Sequence, residues 1–243
     1  SAARLAPNGK PSKLTEEQWH QVRTPEFKRW FGDWEKFATK RGGVRNDEKG
    51  AVSKVVDRET GEPLVVYHGA TEAGFTVFEP GRNPRGTPGA FFSDSRAIAM
   101  TYAGRRAPEV ELDLDEDGGY EAHRGVYSVF LNIRNPQEEY FEGANWDGTR
   151  EGQFQVVDED GEPLYADGGT QYFQDKETAN ALADAHPGAE VQAADDFWQS
   201  TNGVVEEAHG NGQDGAILYD VVDNGTQADV WESSNVFVVF DPA

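Results

Sequence analysis

Residues 64–70 read Leu-Val-Val-Tyr-His-Gly-Ala, an apolar run that ends on a histidine and a glycine. β-Branched and aromatic residues in unbroken succession predict a buried strand. His68 at the end of such a strand is commonly a packing residue. Gly69 raises the second reading, because a residue without a side chain lets a ligand approach the backbone. Strand ends that face a loop are also where binding sites gather. Further along, the chain reads Gly89-Ala90-Phe91-Phe92-Ser93-Asp94 and continues from Ser95 to Tyr102. A brief strand over 90–92 and a short helix over 93–102 are expected, with Ile98 and Tyr102 four apart on one helix face. Between these segments lies the loop 81–89, which carries Arg82 and Arg85 and no acid.

The pattern extends both ways. Downstream, strands are expected over 125–132, 215–223 and 235–241, a strand and turn over 153–160, and helices over 176–186 and 195–209. Upstream, alternation over 51–56 predicts a strand, and 75–78 reads as a short strand or a turn. Thr15 is placed to cap a first helix with acids in its opening turn. Thr24-Pro25 restarts the chain as a second helix. Phe27, Trp30, Phe31, Trp34 and Ala38 then form a helical stripe, read as core, that runs to a stop at Gly42-Gly43. The expected organisation is a linker over 1–13, a helical segment over 14–43 and one main domain over 44–243. Strands dominate and helices flank them, so the class is α+β, a sandwich or partly closed barrel.

Composition limits the function. The chain has 243 residues, 44 acidic against 22 basic, a formal net charge of -22 and no cysteine. Disulfide scaffolds, cysteine zinc sites and thiol nucleophiles are excluded. A broad nucleic-acid-binding surface is not expected, because phosphate contacts need clustered Lys and Arg. Aromatic residues make up 12%, too many for a disordered acidic chain. The acidic shell suits either a high-salt cytoplasm or a basic partner. The densest acidic stretch, 105–124, reads as a solvated loop or hairpin, since it lacks the twelfth-position Glu of a calcium loop. No apolar run approaches the ~20 residues of a membrane span, and no leader-like apolar segment opens the chain.

LVVYHG at 64–69 and GAFFSDSRAIAMTY at 89–102, taken together, resemble the NAD-binding core of ADP-ribosyltransferases of the diphtheria-toxin and poly(ADP-ribose) polymerase type. That group carries a His-Tyr-Glu triad on three separate segments, with the Tyr ten residues beyond the second segment's Phe, as Tyr102 lies from Phe92. A closer resemblance covers nearly the whole chain. The segments 14–35, 54–70, 126–136, 212–225 and 235–242 are similar, in order, to ADP-ribosyltransferase-like domains of phage and mobile-element polyvalent proteins.

The resemblance implies a split β-sandwich with flanking helices and an N-terminal helical segment. It implies NAD as substrate and transfer of one ADP-ribose to an unidentified macromolecular acceptor in a bacterial host cytoplasm. His68 would bond the adenosine-side ribose, and Gly69 the nicotinamide carboxamide. Tyr102 would stack on the nicotinamide ring with Phe91 on its other side, Ser93 beside them, and Arg82 and Arg85 near the pyrophosphate. Acceptor choice would lie in the loops 105–124 and 220–234. Two positions depart from the pattern. Ala99 stands where many relatives have a Ser, and Val236 where the third-motif Glu is usual. Glu232, four residues earlier, either reaches back into the site or is a surface acid. Asp214 is a second acid that reads either as a base or as a turn residue. Without the Glu, transfer of a single unit is expected rather than chain formation. Hydrolysis of NAD, or a binding module that has kept the fold and lost activity, remain the alternatives.

Overall fold

The computed structural model describes residues 4–39, 50–72, 74–80, 86–104, 125–147, 154–165, 172–173, 176–193, 200–223 and 232–241. Six helices and nine strands occur among them. α1 (Glu16–Gln21) opens on Thr15, whose hydroxyl accepts from the Gln18 N–H while the Gln18 side chain returns a bond to the Thr15 N–H. α2 (Pro25–Phe31) is capped by Thr24 and has Pro25 in its first turn.

The aromatic stripe does not continue as one helix to Gly42-Gly43. It breaks at Gly32, whose φ is 101°, and restarts as α3 (Trp34–Phe37). A Cβ at Gly32 would lie 2.5 Å from the Ala51 carbonyl oxygen, so the break lets the chain close on 51–52. Phe27, Phe31 and Trp34 are buried with Val22 and Val52, and Phe130 and Val65 pack against them. Trp30 turns outward at 38% exposure, so it leaves the expected core.

Residues 4–13, expected as a linker, are tied to this layer. Leu5 bridges Pro11, and Lys13 bonds Asp57 at 2.9 Å. Glu62 is buried there, taking bonds from Ser12 Oγ at 2.6 Å and Arg23 Nη2 at 2.9 Å. The expected strand over 51–56 is reduced to a single bridge between Val56 and Pro63, and Phe75–Phe78 is irregular. The Ser53 hydroxyl takes the place of a ladder by donating to the Leu131 carbonyl and accepting from the Ile133 N–H.

The main sheet has six strands in the order β3-β1-β2-β9-β8-β4: β3 (Gly125–Val129), β1 (Val66–Ala70), β2 (Ala90–Ser93), β9 (Glu232–Val239), β8 (Gly215–Asp223) and β4 (Pro136–Tyr140). All neighbours are antiparallel except β4 and β8. Alternation sorts the side chains. Val66, Ala90, Phe92, Ile217, Phe237 and Val239 share one core with Leu131 and Ile133. On the other face lie α4 (Arg96–Ala103) and α6 (Thr201–Gly210). α4 packs on β1, β3 and β2, and α6 on β8 and β4. Helix α6 starts at Thr201, later than the expected 195, and 194–199 lie outside the described residues. A second sheet, β6 (Tyr172–Phe173), β5 (Phe154–Val157) and β7 (Glu190–Ala193), carries α5 (Lys176–Asp184). No helix among the described residues is long and apolar enough to cross a membrane.

Candidate functional site

β1 and the segment β2–α4 meet at Gly69. A Cβ there would sit 1.8 Å from the Ala99 carbonyl oxygen and 3.0 Å from the Ala103 N, so α4 reaches the sheet only because residue 69 is glycine. The close approach expected at Gly69 is therefore made by a helix backbone. α4 begins on Ser95, whose hydroxyl accepts from the Ile98 N–H. Asp94 ties this turn to β9, accepting from the Asn235 N–H at 2.9 Å and from its side-chain amide at 2.6 Å. Burial pushes the Asp94 carboxyl above its ordinary range.

Between the two helices runs the strip formed by β2 and β9. Its register pairs Phe91 with Val238 and Ser93 with Val236. The Phe91 ring packs with Val236 and Val238 in the α6 core. Ser93 and Ser234 are buried, and the Ser93 hydroxyl donates to Ser234 Oγ at 3.1 Å while accepting from the Ser95 N–H. Tyr102, 42% exposed, reaches over the strip from α4. Its hydroxyl lies 3.0 and 2.9 Å from the two carboxylate oxygens of Asp223, at the end of β8.

His68 belongs to the opposite face. Phe78 and Phe92 lie at ring-centroid distances of 5.1 and 5.4 Å, with Phe75 and Tyr127 beyond them. Its Nδ1 is 2.7 Å from the Phe91 carbonyl, a bond that requires the proton on Nδ1 and leaves Nε2 as the acceptor. Burial lowers its pKa and outweighs the carbonyl bond, so the ring is neutral near pH 7. His68 and Tyr102 are thus joined through β2 rather than clustered.

A family model described as ADP-ribosyltransferase in polyvalent proteins matches residues 58–243. The chain belongs to that family. The matched span holds every strand of both sheets and leaves out the three N-terminal helices. No curated protein and no solved structure matched the chain.

Of the residues expected to act in this ADP-ribosyltransferase domain, Gly69, Phe91, Ser93 and Tyr102 come together around the strip. Val236 is on it, buried at 8% in an apolar cluster. Glu232 is not on a loop. It is the first residue of β9 and pairs with Asp223 across the ladder. Asp214 serves the fold, accepting from the Arg134 and Asn135 N–H groups at 2.7 and 2.8 Å. Arg82, Arg85 and the stretch 105–124 lie outside the described residues. Of the acceptor loop expected over 220–234, residues 220–223 and 232–234 are strand, and 224–231 lie outside the described residues.

Asp223 was missed in the sequence. Its signal was a second acid, three residues after Asp220, closing the mainly apolar run Gly215–Asp223. On the His68 face, a cavity of about 460 Å³ is walled by Lys54, Arg58, Asp94, Glu138, Tyr219 and Phe237. Its cations already have partners. Lys54 bonds Glu138 at 2.8 Å, and the Arg58 guanidinium lies over the Tyr219 ring and bonds the Tyr140 hydroxyl.

Proposed function

We propose that this ADP-ribosyltransferase domain uses NAD and transfers a single ADP-ribose to a macromolecular acceptor of a bacterial host, acting in the host cytoplasm as a phage or mobile-element effector. The observation that carries the reading is Tyr102, 42% exposed and anchored at its hydroxyl to Asp223 across the β2–β9 strip, on the sheet face that Gly69 and Phe91 share. A flat ring exposed on one side and anchored at its hydroxyl is suited to stacking on nicotinamide. The nicotinamide leaves with the electron pair of its glycosidic bond. The oxocarbenium-like ribose carbon is then taken by an acceptor oxygen or nitrogen, which gives up a proton. Desolvation and alignment do most of the work. The neutral His68 holds the Phe91 carbonyl through Nδ1 and so steadies β2 beneath the strip.

Val236 supports transfer of one unit, because no carboxylate at that strip position activates a sugar hydroxyl for chain growth. The same residue supports the rival reading, a binding module that has kept the fold. Nicotinamide release from NAD separates the two. On the first reading, His68→Ala and Tyr102→Ala each cut turnover on the order of a hundredfold, the scale of lost alignment. Unchanged turnover in both variants removes this site assignment.

A further inference from the structure

The Tyr102 site holds a carboxylate from the family-like segment 212–225 to which the resemblance gives no role. Asp223 closes β8 at 9% exposure, and both of its oxygens face the Tyr102 hydroxyl at 3.0 and 2.9 Å. Phenol-to-carboxylate bonds are stronger than bonds between neutral groups. The bond is also long-range. α4 packs chiefly on β1 and β3, whereas Asp223 sits on β8, and β2 and β9 lie between them. Tyr102 therefore spans the strip, and its far end is fixed from the other side.

Tyr102 is 42% exposed, so part of it stays open beside that bond. The neighbouring floor is polar and buried. Val221 pairs with Ser234 on β9, two residues from Asp223, and Ser234 takes the Ser93 hydroxyl. A β-bulge between Leu218 and Val221, with Asp220 at φ 57°, precedes Asp223 and sets the register of the strand end that carries it.

We propose that Asp223 is a positioning residue of the nicotinamide subsite. It anchors the Tyr102 hydroxyl so that the exposed ring waits over the β2–β9 strip as a preformed stacking wall. This rests on the reading of Tyr102 as the ring that stacks on nicotinamide. Asp223 does not touch the reacting carbon in this role. It removes the cost of ordering the ring when NAD arrives, so its loss falls on KM more than on kcat.

The test is steady-state nicotinamide release from NAD by four variants. Tyr102→Phe keeps the ring and removes the hydroxyl. It raises KM about tenfold, the scale of one charge-assisted bond, with kcat within about threefold of wild type. Asp223→Ala gives the same rise, and the double variant is no worse than either single one, because both remove the same bond. Asp223→Asn keeps an acceptor oxygen and recovers most of the KM.

A normal KM in Tyr102→Phe, multiplying effects in the double variant, or no recovery in Asp223→Asn overturns the assignment. Should Asp223→Ala fail to fold, Tyr102→Phe decides alone. Wild-type protein that neither releases nicotinamide nor gains thermal stability from NAD overturns the transferase reading and this one with it. An active wild type with a normal Tyr102→Phe overturns only the role of Asp223.

Discussion

Glu62 and Asp223 are both buried carboxylates, 1% and 9% exposed, yet their partners differ in kind. Glu62 is closed in by the N-terminal layer, between Arg23 and Ser12, and Arg23 in turn lies 3.8 Å over the Trp19 ring. Its partners belong to the packing of the N-terminal segment against the body. Asp223 holds a tyrosine that is 42% exposed. The first carboxylate is surrounded so that nothing moves. The second restrains a surface that is left open.

Substitutions pull the two apart. Glu62→Ala leaves Arg23 with Glu35 as its remaining carboxylate and should cost about 3 kcal/mol in denaturant unfolding, the low end for a broken buried pair. The folded fraction should keep a normal KM for NAD. A raised KM would mean that the N-terminal layer shapes the site. Gly69→Ala comes next. Its methyl meets the Ala99 carbonyl, so α4 must lift from the sheet, at roughly 3 kcal/mol on the scale of overpacked cores. Nicotinamide release should fall with it, since Tyr102 rides on α4. Wild-type stability in this variant would show that α4 does not press on Gly69.

The smallest effect is in pH. His68 has a folded pKa below its ordinary 6.5 because of burial. Below pH 6.5 the unfolded chain binds a proton there that the folded chain resists, so stability falls as pH drops. Above 6.5 both states are neutral and the effect vanishes. Urea midpoints between pH 7.5 and 5.5 should decline less steeply for His68→Gln than for wild type. Equal slopes would contradict the burial of a neutral imidazole.

The strands that carry the site were legible because their patterns are local. Gly215–Asp223 appears with its expected bounds, and Thr15, Thr24 and Pro25 start their helices as their residue types require. Failures came where tertiary contacts decide. The break at Gly32 depends on the approach of Ala51, and the lost strand at 51–56 depends on Ser53 bonding across to 131–133. Within the site, Gly69, Phe91 and Tyr102 could be named from their motif. Asp223 could not, because its partner lies 121 positions away and no spacing rule links them. The face of His68 was hidden for the same reason, since only the sheet shows that it and Tyr102 lie on opposite sides.

The central claim is NAD-dependent transfer by the open Tyr102 face, and one measurement meets it directly. The protein is incubated with NAD labelled in its adenine, with and without bacterial lysate. Free nicotinamide and retained label are then counted together. Expected is nicotinamide release accompanied by label on a lysate macromolecule, and no laddering into longer chains. Release without retained label would make water the acceptor and contradict transfer. No release in either condition, with no thermal shift on adding NAD, would contradict the claim altogether.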